Sequence, residues 1–114
     1  MMKDIVKFED FLKIELLVGT IISVKMNEKA RKPAYVLTVD FGPELGKKQS
    51  SAQITNYSRG ELLGKSVVAA INLGEKTLPT GFISEFLILG ALKPDGTVSL
   101  IEVKEKLLPG SVIS

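Results

Sequence analysis

The chain has 114 residues, 45% of them apolar, with 15 basic against 13 acidic side chains and neither cysteine nor histidine. That length suits one domain, over 1–114, and the missing residue types exclude disulfides, a thiol nucleophile, thiolate or imidazole metal sites and an imidazole base. No Ser-x-x-Lys, phosphate-cradling glycine loop or carboxylate cluster replaces them, so the sequence reads as non-catalytic, without cofactor or metal.

Phe8, Phe11 and Leu12 recur at helical spacing, with Glu9 and Asp10 early and Lys13 late, which predicts a short opening helix that packs through its apolar side. No apolar run approaches the ~20 residues of a membrane-spanning helix. No membrane insertion is expected, and because Lys3, Asp4 and Lys7 interrupt any export signal the chain reads as cytoplasmic.

Leu16 to Met26 is rich in β-branched residues and predicts a long first strand, with Gly19 marking a bend or bulge. The loop Asn27 to Ala34 carries Lys29, Arg31 and Lys32, and Pro33 biases Lys32 toward extended geometry. Tyr35, Leu37, Val39 and Phe41 then alternate with Val36, Thr38 and Asp40, as in a strand with one face in a core. Gly42 to Gly46 supplies a turn. The return strand, Lys47 to Ile54, has Ser50, Ala52 and Ile54 facing in and Lys47, Gln49, Ser51 and Gln53 facing out, with one of Lys47 and Lys48 at the rim.

Ser58 and Glu61 have capping-box spacing and Gly64 stops a helix of about two turns. Lys65 to Leu73 is a fourth strand whose Ala69 and Ala70 imply close approach of another element. Gly74 to Ile83 reads as a loop and Ser84 to Leu92 as a fifth strand. Lys93 to Gly96 turns the chain into Thr97 to Val103, and Pro109-Gly110 precedes an apolar tail. The expected fold is all-β: a five-stranded antiparallel barrel of the oligonucleotide/oligosaccharide-binding (OB) type, with a short helix between strands 3 and 4, a short N-terminal helix and a C-terminal β extension. The extensions, 1–14 and 93–114, are free to cover a barrel edge or meet a second subunit.

Charge concentrates in the middle. Lys25 to Arg59 holds seven basic and three acidic residues, a net +4 that leaves −2 for the remainder. Such a window suits a patch for phosphates, and it also suits a solvated face.

Four stretches in order, ARKPAY at 30–35, DFGPELG at 40–46, KKQSSAQIT at 47–55 and SEFLILG at 84–90, resemble the free-standing tRNA-binding-domain proteins of the CsaA type. The resemblance covers most of the chain and implies an OB barrel, a homodimer built through terminal extensions, and tRNA bound by shape more than by sequence. Relatives are appended to some methionyl- and phenylalanyl-tRNA synthetases. CsaA-type members are also described as export-related chaperones of unfolded or precursor polypeptides. After Asn72 this chain has Leu73-Gly74-Glu75 where many relatives of that type carry an aromatic residue and a proline pair.

The resemblance carries Ala30-Arg31-Lys32, Ser50 to Gln53, Asn72 and Ser84-Glu85 onto the family's binding positions. Together with the charge pattern it makes Arg31, Lys32, Lys47 and Lys48 candidates for phosphate contacts, and Gln49, Ser51, Gln53, Asn72, Ser84 and Glu85 candidates for the polar face. Ser84 and Glu85 could equally open a strand and bond a neighbouring loop, and Asn72 could satisfy backbone at a strand end. Tyr57 and Phe82 could stack on bases or belong to the core.

Overall fold

The computed structural model describes residues 2–114; Met1, the first residue of the expected N-terminal extension, lies outside them. Five strands form one antiparallel sheet in the order β3-β2-β1-β4-β7: β1 is Leu16–Met26, β2 Tyr35–Asp40, β3 Lys47–Ala52, β4 Ser66–Ala70 and β7 Leu87–Ile88. β1 serves two neighbours in turn, with Leu16 to Thr20 against β4 and Thr20 to Met26 against β2. One strand thus turns the corner between the two halves of a barrel.

The corner is built differently from the sequence expectation. The register shift lies between Ile21 and Ser23, not at Gly19. Gly19 instead allows close approach: a Cβ there would collide with Val39 and Phe41, so glycine is what lets β1 lie against the core end of β2.

The alternation of β2 places Tyr35, Leu37 and Val39 inside, and Phe41 follows them. Phe41 meets Phe86 edge to face, with ring centroids 5.2 Å apart. Helix α2, Arg59–Leu62, closes the barrel with the fully buried Leu62. Its capping box is complete, the Glu61 amide donating to Ser58 Oγ at 3.2 Å and the Ser58 amide to Glu61 Oε1 at 2.8 Å.

Three further expectations need correction. The stretch expected as a continuous fifth strand over Ser84 to Leu92 is in pieces: Ile83–Ser84 (β6), β7, and Gly90–Leu92 (β8), the last paired with Val98–Leu100 (β9). Each piece finds a different partner, so no single strand runs through. The expected loop over Gly74 to Ile83 holds Lys76–Thr77 (β5), which pairs with β6 in a two-stranded ribbon. Helix α1, Phe8–Leu12, forms as expected but none of its residues is buried: Phe8 is 69% and Leu12 62% exposed, so the apolar side expected to pack is left largely open.

The C-terminal segment covers barrel edges within its own chain. Residues 110–113 bond the front half of β1 on the side that β2 leaves open: the Val18 amide donates to Ser111 O at 2.8 Å and the Ile113 amide to Leu16 O at 2.9 Å. Val103 reaches Ser66 of β4 in the same way, its amide donating at 3.1 Å. Gly42, in the turn between β2 and β3, and Gly110 sit where the C-terminal segment passes that turn, too close for a side chain on either.

Candidate nucleic-acid interface

β1 ends at Met26, and the loop 27–34 folds back over the end of β3. The Asn27 amide nitrogen donates to Ala34 O at 2.9 Å, closing the loop, and Asn27 Nδ2 donates to Ser51 Oγ at 3.2 Å, fastening it to β3. The β5–β6 ribbon rises opposite. Between them runs an open groove of about 800 Å³, with Arg31 and Lys32 on one side, Ser51 and Gln53 on its floor, and Pro79 and Thr80 on the other side. Arg31 and Lys32 are exposed, because Pro33 follows them and only Ala34 turns into the core.

The cations here have no internal neutralisation. The ion pairs among the described residues are Lys13 with Asp10 and Lys65 with Glu102, so Lys29, Arg31, Lys32, Lys47 and Lys48 all lack a carboxylate partner. Unpaired, and exposed except for Lys48, these side chains are open to an external anion at little desolvation cost.

The predicted polar set divides by place. Arg31, Lys32, Ser51 and Gln53 share the groove. Lys47 and Lys48 stand at the other end of β3, opposite Asp40 and Val39. Lys47 is exposed and Lys48 half-buried at the rim. Over the run from Lys47 to Gln53, about 3.3 Å per residue separates the two ends by roughly 20 Å.

Gln49, between them, exposes its side chain while its backbone closes the barrel. Its amide donates to Glu85 Oε2 at 2.8 Å and its carbonyl accepts from the Glu85 amide at 2.9 Å. The Glu85 carboxylate thereby takes the place of a backbone acceptor. Ser84 Oγ lies 2.6 Å from the Oγ of buried Ser50, which donates to Phe86 O at 2.9 Å. Ser84 and Glu85 are thus engaged by β3.

Asn72 lies at the opposite end of β1 from the groove. Its Oδ1 accepts from the Glu15 amide at 2.7 Å and its Nδ2 donates to Lys13 O at 2.6 Å, tying the N-terminal segment to the end of β4. Tyr57 is likewise committed, its hydroxyl accepting from the Leu100 amide at 3.0 Å and its carbonyl accepting from Tyr35 Oη at 2.8 Å. Phe82 differs: half-exposed, it lines a second hollow beside the groove.

Sequence reasoning missed Asn27, Pro79 and Thr80. Asn27 had a local signal, an amide at the junction of strand and loop. Pro79 and Thr80 had none, because only the ribbon's pairing brings them across from Arg31.

A family model described as "Putative tRNA binding domain" matches residues 16–112. Among solved structures, the CsaA chaperone protein from Picrophilus torridus is 43% identical with a TM-score of 0.90, covering 96% of this chain and 100% of its own. The MetRS related protein from Pyrococcus horikoshii is 25% identical with a TM-score of 0.84, covering 98% and 100%. The methionine-tRNA ligase of Phocaeicola vulgatus is 30% identical over 112 residues, which are 97% of this chain but 16% of that protein. The chain therefore spans a small part of the length of that ligase.

Proposed function

The chain belongs to the tRNA-binding domain family, and from that premise we propose that it binds folded tRNA by shape and phosphate contacts, as a homodimer in the cytoplasm. The family is a binding domain and not a catalytic one, and the proposed activity is binding alone. The observation that carries the reading is the group of carboxylate-free cations flanking an open groove. Arg31 and Lys32 meet phosphates at the groove, and Lys47 and Lys48 meet others along β3. Gln49, Ser51 and Gln53 face sugars or base edges between them. Ser84, Glu85 and Asn72 serve by holding the frame, since their polar atoms are engaged within it.

We propose one domain over 1–114 with extensions 1–14 and 93–114 as the dimer seam. Support comes from the apolar side chains exposed there, among them Phe8, Leu12, Leu108 and Val112. The same surface favours a second reading, a chaperone for unfolded or precursor polypeptides, in keeping with the CsaA protein from Picrophilus torridus being called a chaperone. The experiment is recovery and identification of nucleic acid and polypeptide bound to the purified protein, followed by tRNA titration. Saturable binding of tRNA supports the first reading; polypeptide without any tRNA affinity replaces it with the second.

A further inference from the structure

The groove and the second hollow are not separate. Asn27, Lys29 and Thr80 belong to the walls of both, so the two form one trough that bends over a saddle between Asn27 and Thr80. On one side the hollow offers the apolar surfaces of Phe82 and Met26. Over the other side stand Arg31 and Lys32. At the saddle, Thr80 Oγ1 is shut off from solvent and makes no hydrogen bond among the described residues. That hydroxyl faces the protein and not the trough, so it offers no contact to a ligand lying there.

An aromatic face, a saddle carrying the Asn27 amide, and unpaired cations follow one another in the order base, sugar, phosphate. We propose that this trough seats one unstacked nucleotide of the bound RNA, its base against Phe82, its ribose at Asn27, and its phosphate on Arg31. The two hollows, about 440 and 800 Å³, are of the size that small-ligand sites occupy. Asn27 leaves its Oδ1 without a partner among the described residues while Nδ2 is held by Ser51, so the saddle presents an acceptor for a ribose hydroxyl. The inference rests on the RNA-binding reading and adds to it: the site takes RNA with a nucleotide available outside the stack, and a continuous duplex fills only the phosphate positions.

The chain has no tryptophan, so Phe82→Trp gives a single fluorescent reporter at the proposed stacking face. This variant is titrated with 5′-AMP, with a blunt RNA duplex, with the same duplex carrying one bulged adenosine, and with tRNA. The expected results are saturable quenching by AMP and by the bulged duplex, and about tenfold tighter binding of the bulged than of the blunt duplex, in the range that base stacking on an aromatic side chain provides. Phe82→Leu abolishes that preference. Should Phe82→Trp fail to fold, amide chemical shifts of Asn27, Thr80 and Phe82 in the unaltered protein on adding AMP give the same reading.

Equal binding of bulged and blunt duplexes while tRNA binds would overturn the proposal and leave the RNA-binding reading standing. Absence of both quenching and amide shifts at millimolar AMP would also overturn it. Failure of every RNA to bind would overturn the broader reading, and the nucleotide seat as a part of it.

Discussion

Arg31 and Lys32 stand with Lys29 beside the groove, and their expected signature is electrostatic. If three or four of Arg31, Lys32, Lys47 and Lys48 meet phosphates, log affinity falls with log salt at a slope of roughly −2 to −4. Arg31→Ala and Lys32→Ala each shallow that slope by about one unit and weaken different tRNAs alike, while Lys93→Ala does neither, as filter binding across a salt series would show. Gln53→Ala weakens binding at constant slope, since an amide releases no counterion. Equal losses from Lys93→Ala and Lys32→Ala would mean diffuse attraction without a site. Glu85 tests the opposite role. Glu85→Gln keeps an acceptor for the Gln49 amide and leaves tRNA affinity within about twofold, whereas Glu85→Ala strands that amide and costs about 1 kcal/mol of stability in urea titration. A large loss of tRNA affinity in Glu85→Gln would place the carboxylate on the RNA.

Helix α2 shows how one short element can fix a barrel end. Leu62→Ala empties a fully buried position and is expected to cost about 2–5 kcal/mol by urea denaturation. The Ser58 backbone and hydroxyl bonds hold the Glu61 carboxyl below its ordinary value of 4.5. Its pKa is depressed on folding, so its contribution is present above the unfolded value and is lost as pH falls through the folded one. Stability of Glu61→Gln should accordingly fall less between pH 5 and about 3 than that of the unaltered protein. Elements of this local kind were legible in the sequence: the capping box, the alternation of β2, and β1 with both its ends. What escaped depends on contacts distant in sequence. The pieces of the fifth strand are defined by four different neighbours, and nothing in SEFLILGAL records where one neighbour gives way to the next. The groove was half legible for the same reason, the Arg31 side being a continuous motif and the Thr80 side arriving through the ribbon.

At the scale of the molecule, the exposed apolar side chains of both extensions predict a dimer at micromolar concentration, read by light scattering during gel filtration. Truncation after Val103 removes the residues that bond the front half of β1, so monomer or aggregate is expected; an intact dimer after that truncation would move the seam elsewhere. The tail's place on β1 also reaches back to how the barrel is made. Leu17 pairs with Val112, so during synthesis the front edge of β1 stays uncovered until residues 110–113 have also left the ribosome. Such long-range closure folds slowly. Until then, every nascent chain carries that bare edge into a crowd of other nascent chains.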